Sequence, residues 1–164
     1  MKKYLLFLSI LIDSCSLPKL GIQQHDVNTR GGIKTHGFYY NMPEYLSFMF
    51  YTNGVVFGGF FSSTRNIDTL TRIYSDTLLN NQKNYLIPDE WGLFEIKEDR
   101  KINIEKWYTK GWGDYGITKV PGYILNDTTL LLDHPSIGRD TFYFHYLPVK
   151  PDSTNRFIKP SLKK

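Results

Sequence analysis

Few side chains in this sequence of 164 residues have the types and spacing that metal chemistry needs. The four histidines are His25, His36, His134 and His145, and no H-x-H or H-E-x-x-H spacing joins any of them. A zinc centre needs three or four ligands held close together. The sequence therefore predicts ordinary surface or cross-strand histidines, with no bound metal and no cofactor.

Asp133, His134 and Ser136 are the group whose types would suit acid–base or nucleophilic catalysis. A catalytic serine needs a strained turn such as G-x-S-x-G, which this sequence lacks. Adjacent residues on an extended chain also point to opposite sides. We therefore predict a polar loop around Pro135 and no catalytic residue, so an enzyme is not expected and a hydrolase is the least favoured hypothesis.

Two glycine pairs are candidates for a phosphate-binding loop, but neither has the required context. Gly31-Gly32 and Gly58-Gly59 lack the following Lys-Ser/Thr and the strand-to-helix transition. Gly58-Gly59 falls inside an apolar run, where a glycine pair more often marks a bulge or a sharp bend in a sheet.

Cys15 is the single cysteine, and the segment before it is typical of an export signal. Met1-Lys2-Lys3 is positively charged, and the apolar run 4–12 would span only about 14 Å as a helix, too short to cross a bilayer. We predict a signal peptide over residues 1–14. Ile12-Asp13-Ser14-Cys15 resembles a bacterial lipobox, in which the cysteine is lipidated. A plain signal peptide that leaves a free thiol is the alternative.

The resemblance to a lipobox implies an exported protein that meets the membrane through a lipid on Cys15. The residues after it, Ser16-Leu17-Pro18-Lys19, include no acidic run, which favours the periplasmic side of the outer membrane. The net charge is +4, and the charges alternate in sign outside a short basic tail. Since a nucleic-acid-binding domain carries a basic stripe or a recognised motif, we expect no nucleic-acid partner.

The composition predicts the elements that must position these residues. The chain has 26 aromatic residues (12 Tyr, 11 Phe and 3 Trp) and no alanine, which disfavours helices and favours strands. It is 41% hydrophobic and 22% charged, enough apolar surface for a folded core. A chain of this length usually forms one domain.

Short apolar runs separated by turn residues predict eight or nine strands. They lie at 36–40, 46–51, 55–61, 91–97, 101–108, 115–119, 123–125, 128–132 and 140–148. Asn53-Gly54 predicts a hairpin with a type I′ turn, and Pro121-Gly122 predicts a tight turn. Between 65 and 80 the apolar residues recur at helical spacing, with Ser63 or Thr64 as a possible cap and Asn80-Asn81 as a possible end.

This order of elements predicts a mainly β fold: an antiparallel up-and-down barrel of eight or nine strands with one helix between strands 3 and 4. The predicted domain boundaries are a signal peptide at 1–14, a tether at 15–33, the barrel at 34–148 and a loose tail at 149–164. The first and last strands of a barrel are neighbours, so His36 and His145 would approach each other, without a third ligand for a metal.

Several short motifs resemble those of small lipocalin-like (calycin-type) lipoproteins of the Bacteroidetes kind. They are the lipobox at Cys15, the runs 37–40 (GFYY), 50–56 (FYTNGVV) and 91–96 (WGLFEI), and the later runs 102–108 (INIEKWY) and 124–129 (ILNDTT). The resemblance implies a lipocalin-like barrel and, by analogy, the binding of a small apolar ligand.

Three functional hypotheses follow: a non-enzymatic envelope lipoprotein that binds a small hydrophobic ligand, a solidly packed module that contacts another envelope protein, and the hydrolase. The residues predicted to line a ligand site are Phe38, Tyr40, Phe48, Phe50, Phe57, Leu93, Ile104, Tyr115, Phe142 and Phe144. Trp91, Trp107, Trp112, Tyr115 and Tyr123 would either form a stacking platform for sugar rings or apolar ligands, or simply fill the core.

Overall fold

The computed structural model describes residues 17–26, 32–42, 44, 46–60, 66–72, 74–75, 88–111, 113–150, 153, 155, 157 and 158. Their strands form one closed antiparallel barrel in the order β1 to β8. The strands are β1 Gly37–Tyr40, β2 Ser47–Phe50, β3 Val55–Phe60, β4 Trp91–Ile96, β5 Lys101–Gly111, β6 Asp114–Asn126, β7 Thr129–His134 and β8 Gly138–Tyr146. The α-helix within these ranges is α1, Ile67–Arg72, between β3 and β4. The predicted fold class is therefore confirmed.

The barrel has eight strands because the turn predicted at Pro121-Gly122 does not form. β6 continues through Pro121 for 13 residues. Proline lacks the N–H that a ladder needs, but the pairing of β6 with β7 only begins at Gly122. Pro121 therefore lies beside the point where that pairing ends, and two predicted strands merge into one.

The hairpin between β2 and β3 forms at the predicted position, but with a different turn. Gly54 donates its N–H to the carbonyl of Tyr51 (3.1 Å), and Tyr51 donates to the carbonyl of Val55 (2.9 Å). Gly54 has a φ of +78°, whereas Asn53 does not have a positive φ. The loop is thus a three-residue type with a left-handed glycine, and the predicted type I′ turn is wrong.

The bend predicted at Gly58-Gly59 is a bulge in β3. Phe48 pairs with Gly58 and Ser47 pairs with Phe60, which leaves Gly59 as the extra residue. Gly58 has a φ of +123°, and a Cβ there would lie 2.2 Å from the carbonyl oxygen of Ser47. Only glycine lets the two strands approach this closely.

Side chains from all eight strands fill the interior of the barrel. Fourteen buried residues form this interior cluster: Ile33, Tyr39, Leu46, Phe48, Phe50, Val56, Phe94, Ile102, Ile104, Val120, Ile124, Leu130, Leu132 and Phe142. Ile33 precedes the first strand and packs into the same cluster. Burial of this apolar surface is the main driving force for closure of the sheet.

A second apolar cluster covers the outside of β1 to β5. Its buried members on the strands alternate with the interior ones, as the pleat requires. Leu70 and Tyr74 reach it from α1 and the residues just after it, Leu20 from the N-terminal side, and Leu147 and Ile158 from the C-terminal side. β1 to β4 therefore carry buried apolar residues on both faces, and β5 adds Trp107 to the outer cluster.

The segments predicted as a tether and a loose tail contact the barrel where the structure describes them. Leu20 and Ile158 are both buried in the outer cluster. Lys150 donates to the carbonyls of Thr35 and Phe50 (2.6 Å for the latter). We call residues 17–22 the N-terminal strap.

The helix α1 lies inside the range predicted for it. Asn66 precedes it and accepts a hydrogen bond from the N–H of Asp68 on its side-chain oxygen (2.8 Å). This is the bonding expected of a capping residue. The predicted caps Ser63 and Thr64 and the predicted end at Asn80-Asn81 lie outside the described residues.

Candidate ligand-binding cleft

The ten residues predicted to line a ligand site are divided between the two faces of the sheet. Phe48, Phe50, Ile104, Phe142 and Phe144 belong to the interior cluster. Phe38, Tyr40, Phe57, Leu93 and Tyr115 belong to the outer cluster. Because the sheet lies between these sets, one cavity cannot contact all ten.

A cleft of about 500 Å³ opens at one end of the barrel, near the bulge in β3. We call it the mouth cleft. Its wall combines charged, hydroxyl and aromatic side chains, and it is lined by Asp89, 106–108 of β5, 117–119 of β6, and 134–136 at the end of β7. Its volume falls within the range usual for small-molecule sites.

Lys106 is the buried charge of the mouth cleft. It follows Ile102 and Ile104 at alternate positions of β5, so its side chain faces the barrel interior and is 5% exposed. Its ammonium donates to the carbonyl of Gly58 at the bulge. Burial lowers the pKa of Lys106 to about 8, against the opposing charges of Asp89 and Glu90.

His134 lies on the same interior side at the end of β7. Its ring is 6.2 Å from that of Phe48, and its Nδ1 accepts the N–H of Ser136 (3.2 Å). Burial and, to a lesser extent, the charge of Lys106 lower the pKa of His134 to about 4. The ring is therefore neutral near pH 7, with its proton on Nε2.

Asp133 takes no part in this arrangement. It points out of the barrel and pairs with Arg139 (3.3 Å). Ser136 meets His134 through its backbone N–H rather than its hydroxyl. The alternation expected along an extended chain thus separates the acid from the histidine.

Asp89 brings a carboxylate to the wall of the cleft from the short 3₁₀ turn before β4. Its Oδ2 accepts a hydrogen bond from Thr109 (2.9 Å). Its Oδ1 is buried and has no hydrogen-bond partner within the described part of the chain. A buried acceptor without a partner is costly, so a ligand that donates to it would gain affinity.

The ring of Tyr108 lies across Gly116 of the paired strand β6. A Cβ at Gly116 would come within 2.4 Å of that ring, so the absence of a side chain makes this placement possible. Tyr108 is 43% exposed. It therefore presents an aromatic surface at the cleft.

The outer rim of the cleft is tied to the N-terminal strap. Glu105, 7% exposed, accepts the N–H groups of Gly21 (2.6 Å) and Ile22 (2.9 Å) and pairs with Lys119 (3.2 Å). Burial of Glu105 favours its neutral form, but the bonds from Ile22, Lys119 and Gly21 outweigh burial and lower its pKa. Trp107 Nε1 donates to the carbonyl of Pro18 (2.7 Å).

The aromatic residues singled out in the second half of the sequence differ in exposure. Trp91 and Trp107 are buried in the outer cluster, and Tyr115 packs against it. Tyr123 is 44% exposed on β6. Trp112 lies outside the residues that the structure describes.

His145 pairs with Phe38 of β1, and His36 immediately precedes that strand. The centre of the His145 ring lies 5.2 Å from that of Phe38, with the two rings tilted by 44°, and its Nε2 is 3.1 Å from the hydroxyl of Thr71. Across the ranges with assigned structure, no three His, Cys, Asp or Glu side chains form a metal-binding group.

Cys15 and the predicted signal peptide lie outside the described residues. Within the described ranges, no helix has the length and apolar character needed to traverse a bilayer.

Lys106 and Asp89 were not identified as candidate residues from the sequence. The signal for Lys106 was present: a lysine follows Ile102 and Ile104 at the inward spacing of a strand, where a charged residue is unusual. No comparable signal marked Asp89, because acidic residues are common at turns and its position depends on the contact with Thr109.

Comparison with known proteins adds no family. The chain matches no protein-family model, and neither the curated proteins nor the solved structures gave a significant match.

Proposed function

We propose that this chain is a non-enzymatic, lipid-anchored lipoprotein of the bacterial cell envelope that binds a small molecule in the mouth cleft. The observation that carries the proposal is a cleft of about 500 Å³ on whose wall Lys106 is buried as a charged group. Polar side chains placed in a site of this size give orientation and specificity to a bound molecule.

The packing favours the mouth cleft over the apolar interior as the binding site. The interior cluster consists of fourteen side chains, twelve of them aromatic or branched residues with no measurable exposure, including Phe48, Phe50 and Phe142. Small barrels are commonly filled in this way by their own side chains. A small hydrophobic ligand, the first expectation from the family resemblance, would have to displace part of this core.

A lipid on Cys15, the proposed anchor, would lie close to the barrel because the strap holds the chain there. Leu17 is two residues from Cys15, so a lipid on that cysteine would lie within about 7 Å of the strap. Glu105 and Trp107 hold the strap on the barrel. The anchor would thus keep the barrel close to the membrane, on the periplasmic face of the outer membrane.

Membrane fractionation tests the anchor. We expect the wild-type chain in the membrane fraction and Cys15→Ser in the soluble fraction, whereas Ser9→Ala, outside the lipobox-like motif, leaves the distribution unchanged. Retention of Cys15→Ser in membranes would contradict the lipid anchor.

Amide NMR of the ¹⁵N-labelled full chain with a mixed library of small polar and apolar compounds tests the binding site. Hits are expected to shift the amides of 106–108, 117–119 and 134–136. Hits confined to the amides of the interior cluster would favour the hydrophobic-ligand hypothesis instead.

A second candidate function is a module that contacts another envelope protein. The outer face of β6 and β8 supports it, because Tyr123, Leu125 and Tyr143 are each 44–48% exposed there. Tyrosines are enriched at protein interfaces. Photo-crosslinking from position 143 in cells would give a discrete adduct under this alternative and no adduct under the ligand-binding proposal.

A further inference from the structure

The balance of hydrogen-bonding groups in the mouth cleft indicates which ligand fits it, provided that the proposed binding function holds. A lysine ammonium has three N–H donors. Among the described residues, Lys106 uses one donor, toward the carbonyl of Gly58. Within the described part of the chain, two donors of this buried ammonium are therefore left for a ligand in the cleft.

An acceptor in the same cleft also lacks a partner. Asp89 Oδ1 is buried without a hydrogen bond, while Oδ2 is held by Thr109. A ligand that fills the cleft must therefore offer acceptors to Lys106 and a donor to Asp89. Hydroxyl groups do both, since each carries one donor and two acceptor lone pairs.

The charges around Lys106 do not call for an anionic ligand. Asp89 and Glu90 both act on the ammonium with opposite charge. Lys119 at the rim is already paired with Glu105 (3.2 Å). An anionic ligand would be repelled by the carboxylates of Asp89 and Glu90, so a neutral ligand suits the cleft better than a carboxylate or a phosphate.

An aromatic surface completes the site. The Tyr108 ring lies across Gly116 and is 43% exposed, and Thr118 and Ser136 add hydroxyls to the wall. Aromatic rings combine an apolar face with a polar edge, which suits the C–H face and hydroxyl rim of a sugar ring.

We propose that the mouth cleft binds a neutral, hydroxyl-rich ligand of the saccharide class, with its hydroxyls between Lys106 and Asp89 and one ring face on Tyr108.

The test is amide NMR of the full chain in a detergent that has no sugar head group. Separate titrations use four uncharged sugars (glucose, galactose, N-acetylglucosamine and cellobiose), two anions (acetate and inorganic phosphate) and one apolar probe (1-octanol). We expect at least one sugar to cause saturable shifts of 106–108, 117–118 and 134–136.

Four variants assign the contacts. Lys106→Met and Tyr108→Ala should each weaken the binding of that sugar about tenfold or more. Lys110→Met and Tyr146→Ala are the matched controls. Lys110 lies on β5, as Lys106 does, and pairs with Asp114 of β6. Tyr146 is 61% exposed on β8. If Lys106→Met does not fold, the sugar affinities of Tyr108→Ala and Tyr146→Ala are compared instead, and only Tyr108→Ala should bind more weakly.

The other outcomes overturn the proposal in distinguishable ways. Binding of acetate or phosphate alone in the cleft would reject the saccharide class and keep the proposed binding function. Binding of octanol alone would return the ligand to the apolar class. Shifts that do not change in Lys106→Met and Tyr108→Ala would place the sugar elsewhere. No binding in the cleft by any probe would reject both proposals.

Discussion

His134 shows how burial sets the charge state of a single residue. Its ring lies 6.2 Å from that of Phe48 in the barrel interior. Burial and the charge of Lys106 both disfavour a positive charge on the ring. The pKa in the folded chain is about 4, against 6.5 for a free histidine. The folded chain therefore binds this proton less readily than the unfolded chain does.

Acidification should destabilise the fold through His134. Because the folded pKa is the lower one, the unfolded state binds more protons between about pH 6.5 and pH 4, and stability falls as the pH falls through that window. In chemical denaturation, the free energy of unfolding of the wild type should fall by about 2 kcal/mol from about pH 7.5 to about pH 5. His134→Gln should not show this fall. His25→Gln is the control. Equal pH dependence in His134→Gln and wild type would contradict this account of His134.

Gly58 and Gly111 separate backbone strain from steric contact. Their φ angles are nearly the same, +123° and +120°, but a Cβ at Gly58 would lie 2.2 Å from a backbone oxygen, whereas Gly111 has nothing within 4 Å. Gly111→Ala should cost about 1 kcal/mol of strain, and Gly58→Ala at least about 2 kcal/mol more. Urea denaturation of both variants measures the difference, and equal costs would contradict the close approach of β2 and β3 at the bulge.

At the level of elements, the Glu105 carboxylate binds the strap to β5. Glu105 accepts two N–H groups from the strap, and charge-assisted bonds of this kind are stronger than neutral ones. These bonds lower the pKa of Glu105 in the folded chain. Their contribution to stability is therefore present above the pKa of Glu105 in the unfolded chain and is lost as the pH falls through its pKa in the folded chain.

Replacing Glu105 should loosen the strap without opening the barrel. In Glu105→Gln we expect the amides of Gly21 and Ile22 to exchange with solvent about tenfold faster, with no change in the amides of β7. Glu95→Gln is the matched control, because Glu95 bonds Lys97 (2.9 Å) and Asn103 (3.1 Å) and not the strap. Unchanged exchange at the amides of Gly21 and Ile22 would contradict the role of Glu105 in holding the strap.

The sequence predicted most elements because their signals are local. Asn53-Gly54 marked a hairpin and Gly58-Gly59 a bulge, and both form at these positions. The turn predicted at Pro121 was wrong because proline is tolerated where a strand is unpaired on one side, and the sequence does not specify where the pairing of β6 with β7 ends.

The lining residues were harder to predict for a physical reason. In β2, Phe48, Met49 and Phe50 are all fully buried, although Met49 faces the outer cluster and the two phenylalanines face the interior. A strand that is apolar on both faces carries no alternation that reveals its inner side. The outer layer comes from α1, the strap and Ile158, all distant in sequence from β2.

Across the described residues, the molecule is a small barrel with two apolar layers and a polar cleft at one end. The interior cluster draws on all eight strands, and the outer cluster covers β1 to β5. Lys106 and Asp89 both line the mouth cleft, where β5 approaches the turn before β4. The mouth cleft therefore combines a buried ammonium with a carboxylate oxygen that has no hydrogen bond, and the proposed ligand site is at that end of the barrel.

Native mass spectrometry of the full chain, extracted gently from cells in parallel with Lys106→Met and Lys110→Met, tests the ligand-binding claim most directly. We predict a discrete added mass on the wild type and on Lys110→Met that is absent or strongly reduced on Lys106→Met. Wild-type protein that carries no added mass, and gains none when incubated with the small-molecule fraction of the same cells, would contradict the account.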